Sequence, residues 1–208
     1  MSTTCTEQHP LKPFLPHHAK ALMLGSFPPP RERWTMDFYY PNFQNDMWRI
    51  FGLVFFSEKD YFVTANSKSF DELRIRHFLT QKGIALYDTA EEVIRHKGNA
   101  SDQFLEIVKP AGIFFSSRGE SEGGGGDSIL SQIPQCEAII TTGQKATETL
   151  MAQIGSKQMP PVGGFIEMFI NNQTIRCYRM PSSSRAYPKS LSEKAAVYAQ
   201  LFTDLNIR

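Results

Sequence analysis

Cysteine is scarce in this chain: its 208 residues hold three, Cys5, Cys136 and Cys177. An odd, widely spaced set excludes a disulfide framework and gives no zinc-site spacing. It also falls short of the four thiolates an iron–sulfur cluster usually needs. The five histidines form no ligand motif, and the adjacent His17 and His18 cannot share a helix face. No metal site is therefore expected. Long apolar runs are missing too. None approaches the roughly 20 residues that cross a bilayer, and the polar start of the chain, interrupted by Pro10, lacks the apolar stretch of a secretory signal. The expectation is a cytoplasmic protein without a membrane. Nor is there an excess of one charge: 22 Lys and Arg face 21 Asp and Glu, for a net charge of +1. A uniformly basic nucleic-acid surface is excluded. The Gly-x-Ser-x-Gly elbow and the lysine-bearing phosphate loop are also absent, which disfavours an α/β hydrolase or a nucleotide enzyme.

What is present fits one compact domain spanning residues 1–208, with residues 1–19 as an N-terminal arm. The length suffices for a substantial core, and 41% of residues are hydrophobic. The stretch 118–128, with four glycines at 123–126, reads as a flexible loop within that domain. Its Glu120, Glu122 and Asp127 would repel a phosphate. Five basic residues between Arg176 and Lys194, against Glu193 alone, form a local positive patch that reads as a solvated face.

Short apolar runs at 21–24, 84–87, 138–141 and 175–180, ringed by Gly and Pro, read as buried strands. Residues 113–115 are a weaker strand. Residues 165–170 and 174–179 read as a hairpin across Asn171-Asn172. Helices are expected from the Ser69-Phe70-Asp71-Glu72 box to Thr80, from Asp88-Thr89-Ala90-Glu91 to Arg95, over 144–154, and after the Ser190-Leu191-Ser192-Glu193 box. The last would turn Leu191, Ala195, Tyr198, Leu201 and Leu205 inward. Alternating strands and helices predict an α/β fold, a three-layer α/β/α sandwich around a short, mostly parallel four-stranded sheet. Ligands of such sheets bind beyond the C-terminal ends of the strands.

Those ends carry the candidate residues. The first strand runs into Gly25-Ser26-Phe27-Pro28-Pro29-Pro30, a rigid turn that presents backbone amides at fixed positions. Residues 38–48, including Tyr40, Asn45 and Met47, combine aromatic faces with amides, as a pocket for a flipped-out base requires. Taken alone, these aromatics read first as core and Asn45 as a helix cap. Asp88 closes the second strand, where it caps the next helix or accepts a ring N–H. Ser182, Ser183, Ser184, Arg185 and Tyr187 follow the last strand, a plausible phosphate clamp or a plain solvated loop.

Together, and in this order, Gly25-Ser26-Phe27-Pro28, Asp88 after a middle strand, and Pro181-Ser182-Ser183-Ser184 resemble the uracil-DNA glycosylase superfamily. The Tyr39-Tyr40-Pro41-Asn42-x-x-Asn45-x-x-Trp48 stretch resembles its mismatch-specific and hypoxanthine-DNA glycosylases. The resemblance extends from about Ala21 to the C-terminal helix. The best-known members hold an attacking water with Asp or Asn at the third position of the first loop. Phe27 stands there in this chain. In the hypoxanthine branch that position is apolar and an Asn of the second segment takes over, which Asn45 matches. The chain departs from the branch at Met47, where relatives place a stacking Phe, at Asn42-Phe43, and at Arg185.

The resemblance implies a monofunctional glycosylase without metal or cofactor, acting as a monomer on DNA that carries a damaged base. Asn45 would be catalytic, positioning water. Gly25, Ser26, Phe27, Tyr40, Met47 and Asp88 would bind the base. Ser182, Ser183, Ser184, Arg185 and Tyr187 would hold DNA. The alternative is a nucleic-acid- or nucleobase-binding protein on the same scaffold, without catalysis.

Overall fold

The computed structural model describes residues 5–66, 68–96, 101–114, 128–170 and 172–208. The glycine-rich stretch, up to residue 127, lies outside them, as do Phe115 of the weak strand and Asn171 of the hairpin turn. In chain order the elements are β1 (Thr6–Gln8), β2 (Ala21–Gly25), α1 (Met47–Phe56), α2 (Glu72–Lys82), β3 (Ile84–Asp88), β4 (Ala90–Arg95), β5 (Leu105–Pro110), β6 (Ala138–Thr142), α3 (Gln144–Gln153), β7 (Phe165–Ile170), β8 (Gln173–Met180) and α4 (Leu191–Asp204).

The main sheet has the order β3-β2-β6-β8-β7. Its first four strands are parallel, and β7 returns antiparallel along β8. The expected four-stranded sheet is thus five-stranded, because the hairpin folds its first strand onto the edge. Every residue of β2, β3 and β6 is buried. Continuous apolar runs are what strands covered on both faces demand. Of the two edge strands, β7 is only partly buried, while β3 is buried throughout.

A second, three-stranded antiparallel sheet, β1-β4-β5, corrects another expectation. Residues 90–95, expected to be a helix capped by Asp88, form its central strand. The local capping signal is overridden because β1 from the N-terminal arm and β5 pair with its two edges, and the β-branched Val93 and Ile94 suit a pleated surface. Val93 and Ala90 pack with Phe27 and Leu105 in a small core of their own. The arm itself is built into the molecule, with Phe14 bridging to Leu86 of β3.

The helices follow their signals with one shift. The cap of α2 lies two residues after the expected Ser69, with Asp71 accepting the Arg74 amide at 3.0 Å. α4 begins on the expected box, Ser190 and Glu193 bonding each other's backbone amides. α1 and α4 meet through Phe51 and Phe202, their rings 5.3 Å apart. Among the described residues, no helix is long and apolar enough to cross a membrane.

Candidate functional site

The parallel strands end on one side of the sheet, and a cavity of about 520 Å³ opens there. Gly25 and Ser26 after β2, Asp88 at the end of β3, Thr142 at the end of β6, and the serines after β8 all line it. Gly25 is paired with Asp88 across the sheet. A Cβ on Gly25 would lie 2.3 Å from Asp88 Oδ1 and 3.6 Å from the Tyr40 hydroxyl. Only glycine lets these two groups converge on the strand end. Tyr40 itself has a left-handed backbone, φ 51°, a conformation that a tyrosine adopts at a cost of roughly 1–2 kcal/mol. That turn swings its hydroxyl to within 3.0 Å of Thr142 Oγ1. Burial, and next the charge of Asp88, push the Tyr40 phenol well above its usual range, so it stays a neutral hydroxyl.

Asp88 is 6% exposed and is backed by His9 from the N-terminal arm. His9 Nε2 lies 2.9 Å from Asp88 Oδ2. Nδ1 faces the Leu11 backbone, 3.1 Å from its amide nitrogen and 2.8 Å from its carbonyl oxygen. Facing a carboxylate, Nε2 is the donor. The ring is boxed in by Phe27 and Tyr87, at centroid distances of 5.3 and 4.8 Å. Phe27 therefore supports His9 and the small core as well as lining the cavity. The opposite oxygen of Asp88, Oδ1, is the one nearest Gly25 and the cavity.

Asn45 also lines the cavity. Its Oδ1 accepts the Met47 amide at 2.8 Å, which fixes the orientation of its side-chain amide. One lone pair of Oδ1 and both Nδ2 protons remain for a ligand or a water. Met47, expected beneath a base, is wholly buried in the main core and does not line the cavity. The reason is its place at the first turn of α1, whose buried face begins with Met47 and continues through Ile50 and Phe51.

Ser182, Ser183, Ser184 and Tyr187 line the cavity, and Arg185 does not. Arg185 Nε is 3.1 Å from Asp46 Oδ1, and its guanidinium also bonds Gln44. Asp46 Oδ2 is 3.0 Å from Lys194 Nζ. Lys194, read from sequence as part of a solvated patch, is fully buried and also donates to the Ser184 carbonyl at 2.7 Å. The Asp46 amide bonds the Ser183 carbonyl at 3.0 Å. These links clamp the Asn45 turn to the serine loop.

Sequence reasoning missed Asp102, which lines the cavity, and His9, which stands behind Asp88. Asp102 Oδ1 accepts the Ser26 hydroxyl at 2.8 Å. Burial, and next Asp88, raise its carboxyl above the usual range. Neither residue sits in a local motif. The only hint in the sequence is that each lies close to a strand of the small sheet. Among the described residues, no group of three or more His, Cys, Asp or Glu could hold a metal ion.

No protein-family model matches the chain, and no curated protein does. Among solved structures it is similar to a solution NMR structure from Methanosarcina acetivorans described as a "putative Uracil DNA glycosylase". The TM-score is 0.54 at 21% identity, over 95% of this chain and 99% of that one. At this identity the likeness shows a shared α/β fold.

Proposed function

We propose that this protein is a monofunctional DNA glycosylase, which flips a deaminated base, uracil or hypoxanthine, out of DNA and hydrolyses its N-glycosidic bond in base excision repair. The observation that carries this reading is the convergence of Asn45, Asp88, the Gly25–Phe27 turn and the serine loop on one cavity at the strand ends. The fold shared with the Methanosarcina acetivorans protein, described as a "putative Uracil DNA glycosylase", adds support.

In this reading Asp88, held by His9, accepts the ring N–H that distinguishes a deaminated base. The backbone amides of Ser26 and Phe27 face the charge that grows on the leaving base, where fixed dipoles in a dry site act most strongly. Asn45 positions a water at the sugar carbon, a contribution of orientation more than of basicity. The water oxygen bonds to C1′, the C1′–N bond breaks, and the base departs with the bonding pair and takes up a proton. The serine loop, with Arg185 and Tyr187, holds the DNA strand.

The test is a duplex oligonucleotide carrying one uracil or hypoxanthine, with alkali cleavage of abasic sites. The wild type is expected to break the strand at the lesion. Asn45→Ala is expected to slow excision about 100-fold, the scale of losing a positioned polar group in the transition state. An unchanged rate in that variant removes Asn45 from the reaction. One observation favours a binder without catalysis, namely that the Asn45 carbonyl already accepts the Met47 amide. Binding of the lesion duplex with no base released would establish that alternative.

A further inference from the structure

The cavity contains a second carboxyl group to which the reading above gives no task. Asp102 lies on the short turn Asp102–Phe104, which leads straight into β5. Leu105, the first residue of β5, pairs with Arg95 at the end of β4, so the small sheet sets the position of the turn. Ser26, 7% exposed, donates its hydroxyl to Asp102 Oδ1 at 2.8 Å. The neighbouring Gly25 is the residue against which Asp88 is packed. Two carboxyl groups thus flank one dipeptide at the rim of one cavity, and both line it.

The charged and titratable groups around Asp102 come from four elements: Asp88 of β3, Lys145 of α3, Arg95 of β4, and the Tyr40 hydroxyl from the turn before α1. Burial acts most strongly on Asp102 and favours its neutral form. Asp88 adds to this, while the Ser26 hydroxyl, Lys145 and Arg95 oppose it. The net effect raises the carboxyl above its ordinary range. Two acids that share a cavity do not both ionise freely, and one tends to keep its proton.

We propose that Asp102 reads the bound base as a hydrogen-bond donor, giving its Oδ2 proton to the carbonyl oxygen while Asp88 accepts the adjacent ring N–H. This rests on the glycosylase reading and assigns to Asp102 the recognition of the lactam edge that separates such a base from its amino parent. Deamination converts a ring nitrogen beside an amino group into a ring N–H beside a carbonyl. An acceptor next to a donor matches the product edge and opposes both groups of the parent edge. A site of buried polar partners rejects a mismatched analogue far more strongly than an apolar pocket can. The same donor strengthens as negative charge builds on the carbonyl oxygen during bond cleavage. Ser26 holds Oδ1, leaving Oδ2 as the oxygen that carries the proton.

The experiment compares wild type, D102N and D102A in single-turnover excision from a duplex with one uracil or hypoxanthine, between pH 5 and 9, with melting temperatures checked. An asparagine keeps a donor and cannot ionise, and the Ser26 hydroxyl would orient its oxygen as it does that of Asp102. The wild-type rate is expected to fall toward alkaline pH. D102A should be slower by about tenfold or more. D102N should recover about tenfold over D102A and lose the alkaline fall. If D102N is as slow as D102A, the ionised carboxylate is what works and the proposal is overturned. Rates and pH profiles equal to wild type in both variants overturn it equally. If the wild type releases no base at any pH, the glycosylase reading itself fails and this inference goes with it.

Discussion

Two buried aspartates, Asp88 at the end of β3 and Asp46 just before α1, are each paired with cation-forming side chains. They serve different ends. Asp46 has both oxygens taken, Oδ1 by Arg185 and Oδ2 by Lys194. Asp88 has one oxygen taken, by His9, and turns the other to Gly25 and the cavity. Burial of charge therefore does not by itself mark a working residue. Unspent hydrogen-bonding capacity does, because a buried group with a free lone pair is waiting for a partner. Asp46 holds two loops together, and Asp88 is available to a ligand.

The comparison is most easily broken at Lys194. Lys194→Met strips a fully buried cation from Asp46 and is expected to cost up to about 3–5 kcal/mol, since Oδ2 of the buried carboxylate loses its partner and the half-exposed Arg185 alone answers the charge. At this chain length that lowers Tm by roughly 6–20 °C in a thermal melt. An unchanged Tm would mean the cluster clamps nothing. Next in size is Asp88→Asn, expected to slow excision about 10–100-fold, the worth of a bond to a charged acceptor, with a smaller loss of Tm than Lys194→Met. If instead it unfolds the protein and the residual enzyme works normally, the two aspartates are alike. The smallest effect is expected at Arg185, whose side chain is 47% exposed. Arg185→Ala should change stability by no more than about 1 kcal/mol. It should also lower the salt dependence of DNA binding by about one phosphate contact. An unchanged salt slope would confine Arg185 to its contacts with Asp46 and Gln44.

The parallel sheet was legible because buried parallel strands are local apolar runs, and β2, β3, β6 and β8 each lie on one. Their C-terminal ends then point to Gly25, Asp88 and Ser182 without any tertiary knowledge. The small sheet was not legible. Its central strand carries a capping pattern that means helix until Thr6 is known to pair with Ile94. Asp102 and His9 were hidden for the same reason, as the small sheet and the arm bring one to the cavity and the other to the back of Asp88. Lys194 was misread because a charge among charges looks solvated. Helical periodicity could have exposed it, since it lies between Leu191 and Tyr198 on the inward side of α4.

The long reach of these contacts also sets a timetable for the nascent chain. His9 meets Asp88 across 79 residues of sequence, and Asp46 meets Lys194 across 148. A chain growing from its N-terminus makes the arm first and the clamp last, and closing such long loops is slow compared with forming a helix. Asn45 emerges early from the ribosome, yet its turn gains its anchor only when α4, the last helix among the described residues, has been synthesised.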